Sequence, residues 1–279
     1  MSQNALDPKQ LFEEITSSLD RAKIQSGVIK YETVNKPGGR ERWMAILKGE
    51  KYLVQSFNEP SLEWFDGKSR VIGDLVKTNK LQAGQWVFTI WGKDQIVRIP
   101  AVTSLEIFWR RQPAEPFLSI WQPLEASKDK DLVKVSMLNL KTRWKETYVA
   151  RRFSQHGSSD LLPIAVSYET SKGERVASWD YGGWTNYEGN IWFPETCVYR
   201  KNLSVISKAA EDKETTYHVS EARFNLSISE CWFWPQFPPK CTIVDNFSAP
   251  HHQLVYPSFT GGMEFIDPFV GTIEGDERH

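Results

Sequence analysis

The chain has little cysteine, little histidine and no long apolar run. Three of 279 residues are cysteine, Cys197, Cys231 and Cys241; the odd count and the lack of a CxxC pair exclude a disulfide framework and a thiolate metal site of ordinary spacing. Cys231 and Cys241 are spaced to close a short loop in an oxidising compartment, and buried free thiols are the alternative reading. The five histidines, His156, His218, His251, His252 and His279, show no HxxxH or HExxH spacing, and neither a GxSxG elbow nor a glycine-rich phosphate loop is present. His156 or His218 could serve Cys197 as a base only if the fold brought them together, which spacing does not do. No catalytic residue, metal or cofactor is therefore expected. No stretch approaches the roughly 18 apolar residues that span a bilayer, and MSQNALDPKQ has neither the basic start nor the apolar core of a secretory signal. Positive and negative residues nearly cancel, 34 against 35, so no overall field points to nucleic acid or an anionic membrane.

What the chain has is aromatic mass: twelve tryptophans, with 13% of residues aromatic. Rings of this size fill cores or line binding surfaces. Asp7-Pro8 followed by Leu11, Phe12, Ile15 and Leu19 predicts a capped amphipathic helix. After Ser26-Gly27 the period changes to two. Strands are expected over Val28 to Val34, Arg42 to Lys48, Lys51 to Phe57, Leu62 to Ile72 with a turn at Asp66-Gly67, and Gln85 to Trp91. Strands resume over Leu132 to Leu138 and Arg143 to Phe153. Leu161 to Arg200 then reads as a three-strand meander, with turns at Ser171 to Glu174 and Tyr187 to Asn190. Thr215 to Asn225 and Cys241 to Asn246 supply the last strands. Between Ala101 and Lys130 strict alternation is lost and three prolines appear, which reads as short helical pieces, an inserted lid.

About eleven antiparallel strands with a leading helix make a mainly β chain. No composition break divides it, so one domain is expected over residues 1–246, with 247–279 a C-terminal extension that wraps the surface or is disordered.

The second half of the chain resembles the LolA/LolB-like outer-membrane lipoprotein-sorting (lipoprotein carrier) superfamily. LLPIAVSYE is similar to the strand in which those proteins carry leucine and proline. YEGNIWFPETCVYR (Tyr187 to Arg200) resembles their strand with Trp-Phe-Pro, and EARFNLSISECWFWPQFPPKCTIVDN (Glu221 to Asn246) their closing segment. The chain departs from that pattern at Lys240-Cys241, where glycine is commoner, and in its long tail. The resemblance implies an incomplete antiparallel β-barrel, a LolA-like half-barrel, with helices over an apolar hollow that receives acyl chains, and no catalytic residues. It also implies a periplasmic or cell-envelope location if a signal peptide has been removed; otherwise the chain is cytoplasmic.

On that reading the partner is an acyl chain or a lipoprotein-like ligand, an envelope protein is a second candidate partner, and the chain is a monomer. The candidate lining is Trp43, Leu53, Phe57, Trp64, Trp86 and Phe88 on strands, facing Phe117, Leu118, Ile120 and Trp121 on the lid. Plain core packing is the alternative use of each. Two other roles fit the pattern. One is an envelope stress sensor or scaffold on the same fold, with Glu211 to Thr216 as a contact loop. The other is a carbohydrate-binding or glycoside-hydrolysing β-sandwich, whose acids would come from Asp66, Glu146, Asp180, Glu195 and Glu221.

Overall fold

The structure is a computed structural model and describes residues 7–18, 24–35, 38–49, 51–58, 61–66, 69–75, 86–92, 121–140, 143–205, 212–234, 237, 241–245 and 252–255. The expected helix is α1 (Pro8–Ser18). It starts as its sequence dictates: the Asp7 carboxylate accepts the Lys9 backbone N–H at 2.9 Å, and Pro8 fills the first helical position without sacrificing a hydrogen bond.

Fifteen strands lie among the described residues. They are β1 (Ser26–Asn35), β2 (Gly39–Lys48), β3 (Lys51–Ser56), β4 (Ser61–Phe65), β5 (Ser69–Leu75), β6 (Trp86–Gly92), β7 (Trp121–Asp129), β8 (Leu132–Asn139), β9 (Lys145–Gln155), β10 (Ser158–Glu169), β11 (Arg175–Tyr187), β12 (Ile191–Lys201), β13 (Lys213–Phe224), β14 (Thr242–Asp245) and β15 (His252–Val255). Their hydrogen-bonded order is β15-β14-β6-β5-β4-β3-β2-β1-β13-β12-β11-β10-β9-β8-β7. The sheet is mainly antiparallel, built from consecutive hairpins, and β14 joins β6 in parallel.

Three elements differ from expectation. Trp121–Asp129 is strand β7, not a helical lid. It stands last in the strand order, where proline is tolerated, and the register shifts between Pro123 and Glu125. That shift erases the alternation by which a strand is recognised. Residues 101–120, the rest of the proposed lid, lie outside the described residues. The expected contact loop at Glu211 to Thr216 is largely strand, since β13 begins at Lys213. In the C-terminal extension, His252–Val255 pairs with β14 as β15; residues 256–279 lie outside the described residues.

Packing divides the chain into two compact units: Met1–Lys23, Thr33–Arg40 and Val102–Val219 form the first, and Ile24–Glu32, Glu41–Ala101 and Ser220–His279 the second. In the first unit α1 lies on β7, β8 and β10. Phe12 and Ile15 are buried there with Val135, Tyr148 and Trp121, and Phe12 meets the Tyr148 ring edge-on at 5.4 Å. A smaller cluster joins Leu162, Trp184 and Trp192. Both indoles are satisfied: Trp184 Nε1 donates to the Pro163 carbonyl at 2.9 Å and Trp192 Nε1 to Asp160 Oδ2 at 2.7 Å. The meander is β10, β11 and β12, as its alternation and turn residues predict.

In the second unit one face of β2–β6 carries Met44, Ile46, Leu53, Leu62, Trp64 and Phe88, closed over by Ile228 and Phe233. Gly73 makes this packing possible, because the Phe88 ring lies against the place a Cβ at position 73 would occupy. The opposite face is buried too. β3 runs from half-buried Lys51 through five consecutive buried residues, and β4 from half-buried Ser61 through four. The simple wet-and-dry alternation of an antiparallel strand is absent here.

Candidate ligand-binding site

The strand candidates separate by face. Directly paired residues of antiparallel strands share a face, and alternate residues along a strand do as well. Leu53 pairs with Trp64 on the Phe88 side, where all three are buried. Phe57 and Trp86 are half-buried against the same core, and Trp86 stacks on Phe88 at 5.6 Å. Trp43 is on the other face with Ala45 and Leu47, half-buried and stacked on Tyr31 at 6.4 Å. Trp121 is buried in the first unit beside Phe12 and Ile15. Phe117, Leu118 and Ile120 lie outside the described residues.

The face bearing Trp43 holds residues that periodicity did not single out. Leu47 pairs with Tyr52, Tyr52 with Phe65, and Phe65 with Arg70, so the four form a row across β2, β3, β4 and β5. Two residues along, Val54 opposes Glu63 and continues the same face. The Tyr52 and Phe65 rings stack at 5.4 Å. Within this apolar surface Arg70 Nε donates to Glu63 Oε1 at 2.5 Å, and the Tyr52 hydroxyl donates to the same oxygen at 2.7 Å. Arg70 is 0% and Glu63 3% exposed. Burial first, and then the adjacent Glu63 carboxylate, push the Tyr52 hydroxyl far above the usual tyrosine range, so it stays a donor. The signal in the sequence was a parity one: Tyr52, Glu63, Phe65 and Arg70 fall on one face once the hairpin registers are known, and two of them are charged.

The other chemistries considered from sequence are placed apart. Cys197, Cys231 and Cys241 are free thiols, and burial raises the Cys197 thiol well above its ordinary value, which makes it a poor nucleophile. His218 pairs across the ladder with Thr196, next to Cys197, and is exposed while Cys197 is buried. The carboxylates of a glycosidase reading have separate engagements: Asp66 accepts from Ser69, Asp180 pairs with Arg200, Glu195 accepts from Thr185, and Glu221 pairs with Lys30 at 2.7 Å. Glu146 is fully buried in the first unit. Between the β9–β10 and β11–β12 turns of that unit is a cleft of about 350 Å³ lined by His156, Ser158, Asn186, Tyr187, Glu188 and Asn190. Its polar lining suits hydroxyl or amide groups, not an acyl chain. Among the described residues no cluster of histidine, cysteine and acidic side chains could hold a metal ion, and no helix is long and apolar enough to cross a membrane.

These features define a mainly antiparallel β protein with a helix at its start and a sheet apolar on both faces in its second unit. No family model matches the sequence, and no curated protein matches it. Solved structures similar to the chain include an outer-membrane lipoprotein-sorting protein domain from Vibrio parahaemolyticus, 11% identical over 81% of this chain and 97% of that one, with a TM-score of 0.46. A LolA superfamily protein from Nitrosomonas europaea is 11% identical over 83% and 99%, with a TM-score of 0.49. A DUF1329 family protein from Desulfovibrio piger is 11% identical over 82% and 98%, with a TM-score of 0.48.

Proposed function

We propose that the protein binds and carries a hydrophobic ligand, an acyl chain or an acylated polypeptide, at the bacterial cell envelope, and catalyses nothing. The observation that carries this reading is the second apolar face of β2–β5, on which Ala45, Leu47, Tyr52, Val54 and Phe65 are buried on the side away from the Phe88 core. An antiparallel sheet needs only one apolar face to fold, and commonly leaves the other wet. A second one needs a cover, and where an acyl chain takes the place of that cover each methylene it buries gains about 0.8 kcal/mol. The likeness of Leu161 to Asn246 to lipoprotein-sorting proteins supports the same role and its envelope location.

Native mass spectrometry of the protein purified from its own host tests the proposal, together with displacement of an apolar fluorescent probe by added fatty acid. A copurified lipid, or micromolar probe binding that fatty acid reverses, is the expected result. Protein free of lipid that also ignores the probe overturns the reading.

A further inference from the structure

The cleft between the β9–β10 and β11–β12 turns holds polar groups for which an acyl ligand has no use. Its volume is about 350 Å³, and His156, Ser158, Asn186, Tyr187, Glu188 and Asn190 line it. The two turns are locked to each other. Gln155 Oε1 accepts the Asn186 backbone N–H at 2.7 Å, and Ser158 Oγ lies 2.5 Å from Asn190 Oδ1 and 2.8 Å from Asp160 Oδ2. Both hydrogens of the Asn186 amide nitrogen are engaged, one on the Gln155 carbonyl at 3.2 Å and one on Asn190 Oδ1 at 3.3 Å. A backbone carbonyl only accepts, so turning the amide round would set oxygen against oxygen. Asn186 Oδ1 is therefore a buried acceptor with no hydrogen-bond partner, on a residue that is 7% exposed and lines the cleft. Such an acceptor is costly to leave without a donor. Around it His156, Glu188 and Asn190 are exposed and Tyr187 is half-buried.

We propose that this cleft is a saccharide site, in which an uncharged sugar ring presents its hydroxyls to Asn186, Glu188, Asn190 and His156. The lining calls for both halves of a hydrogen bond. Asn186 Oδ1 and the Glu188 carboxylate take donors, whereas the His156 ring has an N–H to give and Asn190 Nδ2 reaches Asp160 Oδ2 only at 3.5 Å. An ionised carboxylate or phosphate has acceptors alone; it would leave Asn186 Oδ1 unmet and stand beside Glu188. An ammonium has donors alone. A hydroxyl both donates and accepts, and a pyranose sets several of them side by side on one small frame, with a C–H face that suits the Tyr187 ring. Because the turns are already held together, the cleft is formed before a ligand arrives, which spares the cost of ordering it. This site is independent of the acyl-ligand reading.

The test titrates the isotopically labelled full chain, at neutral pH, with the methyl β-glycosides of glucose, galactose and mannose, and follows its backbone amide resonances. The fully O-methylated glucoside, which keeps the ring and loses every O–H donor, and glucose 6-phosphate are the controls. At least one free glycoside is expected to move the resonances of residues 155–158 and 186–190 with a millimolar Kd. The O-methylated glucoside should move none of them, and the phosphate should bind no better than the neutral sugars. The double variant His156→Gly/Glu188→Ala changes two exposed side chains, and glycine accepts the positive φ of 53° at position 156 without strain. It should weaken the glycoside about tenfold. If circular dichroism shows that the double variant fails to fold, Glu188→Ala alone is expected to weaken it about threefold. A cleft that holds only water would leave these resonances unmoved by all three glycosides, and that result overturns the proposal. So do shifts confined to other residues, equal binding of the O-methylated glucoside, tighter binding of the phosphate, or full affinity in a folded variant.

Discussion

Glu146 is the most consequential single residue outside the candidate site. It lies on β9 opposite Met137 of β8 and Tyr168 of β10, and shares a face with Tyr148 and Ala150 in the core under α1. Burial pushes its carboxyl up to about 8, against an effect of Tyr148 in the other direction. In the unfolded chain the same group loses its proton near 4.5. Between those values the folded protein holds a proton that the unfolded chain has released, so stability is fully present below the lower value and falls as pH rises toward the upper one. The loss is on the order of several kcal/mol. The urea midpoint is expected to decline between about pH 5 and pH 8, and Glu146→Gln, which has no proton to lose, should remove most of that decline. An identical slope in the variant would show that other groups set it. Nothing in the sequence distinguished Glu146 from the solvent-face acids, because its burial depends on neighbours that other strands bring beside it, Met137 of β8 and Tyr168 of β10. Arg70 and Glu63 were hidden for a related reason: each sits beside apolar neighbours that belong to the opposite face.

At the level of elements, local chemistry was enough where an element completes itself. The Asp7-Pro8 start fixes α1, and the Gly173 and Gly189 turns fix the meander, each glycine at a positive φ of about 80° that suits it. Elements that depend on a distant partner were not legible. β7 reads as helix in the sequence because its register shift breaks the alternation, and β15 reads as part of an unpatterned tail because its four residues, HQLV, carry almost no pattern. In the second unit, strands buried on both sides read as runs of apolar residues with charges among them, so which face each residue takes could not be read without register. Gly73 tests the packing between β5 and β6. Gly73→Ala places a methyl group against the Phe88 ring, with core Leu62 opposite on β4. It should cost about 1–3 kcal/mol by overpacking, measured as a lower thermal midpoint, and Gly73→Ala combined with Phe88→Leu should recover part of the loss. A neutral single variant would mean that the Phe88 ring moves aside freely.

For the whole molecule, two cores share two continuous strands. β1 belongs to the second unit as far as Glu32 and to the first from Thr33, and β13 passes between them at Val219 and Ser220. Unfolding one core therefore frays a strand that the other needs. Phe12→Ala in one core and Phe233→Ala in the other should each destabilise by about 3–5 kcal/mol. Both are expected to shift one common transition, seen alike by far-ultraviolet circular dichroism and tryptophan fluorescence. Two separated transitions, each moved by only one variant, would show independent units. The sheet also dictates when folding can finish. β6 acquires its outer neighbour only when β14 aligns with it, Val87 against Thr242, after more than half the chain has passed between them. On a ribosome β6 is made early and waits, its outer edge open to any stray strand, until nearly the last residues emerge. Pairing over so long a separation is intrinsically slow, so the closing of that edge is expected late in folding, and until then the edge is the chain's point of exposure to aggregation.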